Sequence, residues 1–197
     1  MSVAVAPSTE QRIVEAATAL FSEKGYHATT MREVAAAVGI RAGSLYNHFP
    51  GKQELLLRIA ASTMEELLAG GRSAVDAHGS PAERLRAFVV FHVTYHAERR
   101  LQAKVADGQL HALEPEDHRA VVAIRDAYEA LLRGLLEDGR ERAGWPVADS
   151  RILTFAISTM CTGVDAWYRE DGHLSPREIA EVYADFVLAA LDPTGPS

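Results

Sequence analysis

Gly43, Ser44, Asn47 and His48 fall on one face of a helix that opens near Ala42, while Ala42, Leu45 and Phe49 share the opposite face at i, i+3 and i+7. The first face is small and polar. It can approach base edges in a major groove without steric conflict, and Ser, Asn and His all donate and accept hydrogen bonds there. Tyr46 and Lys52 stand at its margins. A phenol and an ammonium suit phosphate oxygens, which fix a protein's register on a duplex without reading its sequence.

Two further helices must hold that face in place. Ser8-Thr9-Glu10-Gln11 reads as a capping box, followed at helical spacing by Ile13, Ala16, Ala17, Leu20 and Phe21 until Gly25 ends the helix. Thr30-Met31-Arg32-Glu33 is a second box, with Val34, Ala35 and Val38 as its apolar stripe and Gly39 as terminator. Ala35, Ala36 and Ala37 keep this second helix narrow, so a third helix can cross it closely, as helix-turn-helix geometry requires.

From Arg12 to Leu55, and above all in Thr29–Ala35, Gly39-Ile40, Ser44–Phe49 and Lys52, the chain resembles the amino-terminal domain of TetR/AcrR-family regulators. The resemblance implies that Thr30, Tyr46 and Lys52 hold phosphates and that Arg32, Arg41, Ser44, Asn47 and His48 lie near bases, with Gly43 on the same face. The chain departs from the family at Gly51, where many members carry a serine cap. Glycine keeps the cap backbone and loses a side-chain acceptor, a cost of a few tenths of a kcal/mol.

A formal net charge of -7 over 197 residues looks unfavourable for a partner that is itself a polyanion. Residues 1–55 nevertheless hold five Lys or Arg against five Asp or Glu, which leaves 15 basic and 22 acidic residues downstream. The excess acid can face away from the duplex, and two heads in a dimer would sum their phosphate contacts. No run of eighteen uncharged apolar residues occurs, and the amino terminus has neither a basic segment nor an adequate apolar one, so a cytoplasmic protein is expected. The lone Cys161 lies among apolar residues and reads as a buried thiol.

Downstream every strong signal is helical, and the chain is expected to be all-α, with about nine helices. A fourth helix opens after Gly51 and runs toward Gly70-Gly71. Ser80-Pro81-Ala82-Glu83 starts a helix reaching about Glu98, Arg100–Leu110 is a short one, and Glu114-Pro115 starts a long one that Gly144 stops. Asp149–Arg169 and Pro176–Leu191 close the series. The expected division is a DNA-binding domain over 1–55, an effector-binding and dimerisation domain over 56–191, and a flexible tail over 192–197. Ala106-Asp107-Gly108, Ile124–Glu129, Ala166–Arg169 and Leu174-Ser175-Pro176 resemble a branch of the family that senses acyl-CoA thioesters of fatty-acid or sterol catabolism.

The last two helices carry apolar stripes that an isologous two-fold contact would bury: Phe155, Thr159, Met160 and Gly163, and then Ile179, Val182, Tyr183, Phe186, Val187 and Ala190. An effector pocket is expected among Met64, Leu68, Phe88, Phe91, His92, Tyr95, Tyr128 and Trp167, an apolar set with a few polar ends. Arg125, one turn from Tyr128, is positioned to meet a phosphate or carboxylate, or else a neighbouring acid. His92 and His96 at i and i+4 could instead hold a metal ion, which would make the chain a metal sensor. With no His-Glu-x-x-His motif, nucleophile elbow or phosphate-binding glycine loop, an enzyme is not expected, nor any cofactor. The sequence thus points to a homodimeric regulator, a repressor that a small lipophilic effector, acyl-CoA being one candidate, releases from a pseudo-palindromic DNA operator.

Overall fold

A computed structural model describes residues 6–77 and 79–192, and among them every regular element is a helix. The helices are α1 (Thr9–Lys24), α2 (Met31–Val38), α3 (Ala42–His48), α4 (Lys52–Asp76), α5 (Pro81–Glu98), α6 (Arg100–Gly108), α7 (Pro115–Ala143), α8 (Ser150–Thr162), α9 (Val164–Trp167) and α10 (Pro176–Ala190), with a 3-10 turn at Leu110–Ala112. Capping fixes many of the starts. Ser8, Thr30, Ser80 and Ser175 each close a reciprocal box with the residue three positions on, which satisfies two orphan backbone donors at once. Gly39 ends α2 in the left-handed region at φ 77°, which a glycine adopts without strain.

Two expected elements came out differently. Asp149–Arg169 divides at Gly163 into α8 and the single turn α9; counted as one interrupted helix, they give nine among the described residues. The Gly70-Gly71 pair does not stop α4, which continues to Asp76. These glycines are sites of close packing. A Cβ on Gly70 would overlap the Phe91 ring, and one on Gly71 would come within 2.8 Å of Tyr128. The tail expected over 192–197 lies outside the described residues beyond Asp192.

The chain packs as two compact units. The head unit reaches to Thr63 and also takes in Leu101–Val121, a segment that the sequence division assigned to the effector domain. Its core is built on Ile13, Ala17, Phe21, Val34, Leu45, Leu55 and Ile59. Arg12 ties α1 to the end of α2 by donating from Nη2 to the Val38 carbonyl at 2.7 Å, and Gln53 Nε2 donates to the Ala112 carbonyl at 2.7 Å. The body unit comprises Met64–Arg100 and the chain from Val122 onward. Here α10 lies along α5, sending Ile179, Ala180, Ala184 and Val187 inward, while Arg86 of α5 pairs with Glu181 at 2.9 Å and with Asp185.

Candidate nucleic-acid interface and effector region

In the head unit α3 has the two faces that the spacing requires. Leu45 and Phe49 are buried, and Gly43, Ser44, Tyr46, Asn47 and His48 are exposed together on the other side. Arg41 occupies the cap position of α3 without a side-chain capping bond and is exposed, as is Arg32 in the first turn of α2. The structure thus assembles a contiguous polar surface of short side chains, with guanidinium groups on the elements that flank it. Its geometry suits a major groove, which admits a helix whose protruding side chains can reach base edges.

Thr30 and Lys52, read from the sequence as phosphate ligands, are committed within the fold. The Thr30 hydroxyl caps α2, accepting from Glu33 N at 3.3 Å and donating to Glu33 Oε2 at 2.9 Å. Lys24 completes the arrangement at 2.9 Å from Glu33, and these hydrogen bonds, with that of Lys24 foremost, lower the Glu33 carboxyl to about 2. The Lys52 ammonium donates to the carbonyls of Tyr26 at 2.7 Å, Thr29 at 2.9 Å and His27 at 3.2 Å, and stands 4.4 Å from the Tyr26 ring centre. An ammonium has three protons to donate, and all three find carbonyls. Lys52 therefore clamps the α1–α2 connection to the first turn of α4.

The body residues nominated for an effector pocket are only partly brought together. Phe88, His92 and Tyr128 form a closed stack, with ring centres 5.1 Å apart for Phe88–Tyr128 and 5.8 Å for His92–Tyr128, and His96 stacks on His92 at 4.4 Å. His92 is bound at both nitrogens, Nδ1 to the Tyr128 hydroxyl and Nε2 to the Thr162 hydroxyl, each at 3.0 Å. Burial, reinforced by the neighbouring His96, drives the His92 imidazole well below its usual range, and burial takes His96 down to about 4. Both rings are neutral near pH 7. A metal would have to displace one of the hydroxyls from His92, and among the described residues no cluster of three or more His, Cys, Asp or Glu is placed to hold one. Cys161 is buried, and its thiol is pushed up to about 12.

Trp167 is 51% exposed and stands apart from the stack, so it does not line a pocket there. Arg125 lies 3.7 Å from Glu129, one turn along α7, which is the ion-pair alternative rather than a free cation awaiting a phosphate. Met64 is buried and Leu68 partly so. Phe91 and Tyr95 instead line a half-open groove of about 600 Å³ on another side of α5, together with Ala87, Val90, Thr94 and Glu98 of that helix and residues of α4 and α10. Periodicity gave no sign of this groove, because its far wall depends on α10 packing back on α5.

The apolar stripes of α8 and α10 are split. Phe155 at 72% and Phe186 at 63% relative exposure stand out in solvent with Ile152 and Val182, and Thr159 and Ala190 lie on the same exposed sides. Met160, Gly163 and Tyr183 are half-buried. Ile179 and Val187, at 4% and 3%, are turned into the body's own core and cannot meet a second chain. Met160, Ala156, Phe186 and Ala190 border a shared crevice of about 180 Å³, so the exposed faces of α8 and α10 adjoin. Large aromatic side chains left this exposed on neighbouring helices mark a surface suited to association.

Residues 13–59 match the family described as bacterial regulatory proteins, tetR family, and residues 78–191 match the tetracyclin repressor-like, C-terminal domain. The chain belongs to the TetR family. Among relatives, the HTH-type transcriptional repressor KstR2 of Mycobacterium tuberculosis is 26% identical over 193 residues, covering 95% of each chain, and its solved structure has a TM-score of 0.87 with this one. KstR2 of Rhodococcus jostii is 28% identical over 91% of this chain and 89% of its own. The solved TetR-family regulator PfmR of Thermus thermophilus is 33% identical, with 92% of this chain and 99% of PfmR covered and a TM-score of 0.84. The TetR-family assignment makes the chain a DNA-binding transcriptional regulator. No helix of the described residues is long and apolar enough to cross a membrane.

Proposed function

We propose that the chain is a homodimeric repressor that binds a pseudo-palindromic operator through α3 and is released by a small lipophilic effector held in the body unit. The observation that carries the DNA-reading part is the exposed face Gly43-Ser44-Asn47-His48, with Tyr46 at its edge and Leu45 and Phe49 buried behind it. Arg32 and Arg41 supply phosphate or base contacts beside it, and Lys52 and Thr30 position the surface instead of touching DNA. The exposed parts of α8 and α10, centred on Phe155 and Phe186, form the two-fold contact. Two copies then present two reading helices to half-sites one helical turn, roughly 34 Å, or a multiple apart. Effector binding that favours a different separation by about 1–3 kcal/mol changes operator affinity about 5- to 150-fold.

The names of the KstR2 relatives support repression, and the solved one, called a ketosteroid transcriptional regulator, supports a lipophilic signal. A metal-sensing role gains no comparable support, since His92 already spends both nitrogens on hydroxyls. Selecting duplexes from a randomised library with the full chain tests the proposal. Enrichment of a two-half-site sequence bound by two chains is expected. A folded protein that enriches no sequence, or that binds its best duplex as a single chain, would overturn it.

A further inference from the structure

The groove of about 600 Å³ on the α5 side of the body has a definite chemical character. Its floor is one face of α5, where Ala87, Val90, Phe91 and Tyr95 offer apolar and aromatic surface; the Tyr95 hydroxyl is already given to Glu66 at 3.0 Å. Thr94 and Glu98 follow at i and i+4 along the wall. The Thr94 hydroxyl is buried and has no hydrogen-bond partner among the described residues. Groups of this kind are nearly always satisfied in folded proteins, so a ligand's polar atom is the natural complement once the threonine turns toward it.

The other charges at the groove are already engaged. Arg86 is held by Glu181 and Asp185, Arg177 stands 3.8 Å from Glu181, and Glu83 closes the Ser80 capping box. Glu98 has no ion pair among the described residues. It is the last residue of the 18-residue α5, where the unpaired carbonyls and the helix dipole add negative potential. Of the basic residues that follow, Arg100 is turned to the Tyr168 carbonyl at 3.0 Å, and neither it nor Arg99 lines the groove. The charge left uncommitted at the mouth is therefore negative.

We propose that this groove binds an amphipathic amine, with its hydrocarbon or aromatic body against Phe91 and Tyr95 and its ammonium between Glu98 and Thr94. This deepens the ligand-responsive reading above and rests on it. Aromatic faces attract a cation as well as hydrocarbon, whereas a CoA thioester would bring phosphates against Glu98. The second wall is α10, whose Arg177 and Glu181 face the groove and whose Val182 and Phe186 point outward. Because α10 is a wall of the groove, occupancy bears on the seating of the helix proposed to form the dimer.

Isothermal titration of the full chain with decylamine, decan-1-ol, decanoate and decanoyl-CoA tests the site. Decylamine should bind best, Glu98→Gln should weaken it about tenfold or more through loss of a charge-assisted contact, and Ala87→Trp should abolish binding by filling the groove. Glu98 is exposed, so its replacement leaves the fold intact even if Ala87→Trp does not. Equal decylamine affinity in wild type and Glu98→Gln, or decanoyl-CoA that binds the wild type as tightly as decylamine does, would overturn the proposal. Duplex affinity measured in parallel separates the two claims. Decylamine that binds without lowering duplex affinity overturns the effector assignment, whereas a chain that binds no duplex overturns the function proposed above.

Discussion

Replacing Lys52 with methionine keeps the aliphatic stem and removes the ammonium that holds the carbonyls of Tyr26, His27 and Thr29. A hydrogen bond from a charged donor contributes about 1.5–3 kcal/mol when measured singly. Here one half-buried group serves three acceptors, and water can replace it at the exposed His27, so the contributions do not add. A net loss of about 2–3 kcal/mol is expected, or about 5–10 °C in Tm for a chain of this size. The duplex assay distinguishes the clamp from a phosphate contact. If Lys52 touched DNA, its removal would lower the slope of log affinity against log salt by about one. The clamp predicts an unchanged slope, with affinity reduced by a constant factor as the connection before Thr30 loosens. A Lys52→Met protein that melts like the wild type and loses one unit of salt slope would refute the clamp.

Two further outcomes follow from burial and exposure. Because Phe186 stands in solvent on the single chain, Phe186→Glu should leave the helical content and monomer fold unchanged while placing a charge in the proposed two-fold contact at a cost of several kcal/mol; sedimentation should give a monomer, and a persisting dimer would locate the interface elsewhere. His96 has its folded pKa depressed to about 4, so the unfolded chain binds more protons below its own value near 6.5; stability is complete above pH 6.5 and falls by about 3 kcal/mol as the pH drops toward 4. Urea titrations across that range should show a decline to which the buried His92 also adds, and His96→Phe should make it shallower by the His96 share; an equal decline in the variant would assign the effect to other groups.

What could be read from the sequence was local. A capping box involves four consecutive residues, and all four boxes, at Ser8, Thr30, Ser80 and Ser175, formed as their sequences require. The two faces of α3 followed from spacing for the same reason. A fourth helix running only toward Gly70-Gly71 falls short of the observed end at Asp76, because the role of these glycines depends on Phe91 and Tyr128, far along the chain. Ile179 and Val187 were placed on the outer stripe because a helix with apolar residues over much of its circumference does not declare which side its own core will take. Lys52 illustrates the same limit. Its position suits a phosphate or a set of carbonyls equally well, and the carbonyl contacts depend on the path of residues 26–29. The groove was invisible for the same reason, being made jointly by α4, α5 and α10.

The central claim, that α3 reads bases, is tested most directly by measuring wild-type and Asn47→Ala affinities for the selected operator and for each of its single-base variants at one salt concentration. Base reading by α3 requires Asn47→Ala to lose discrimination of about 1–3 kcal/mol at one or two positions in each half-site, while its affinity for random duplex stays at the wild-type level. An Asn47→Ala protein that keeps the full wild-type discrimination profile, with the same result for His48→Ala and Ser44→Ala, would contradict it.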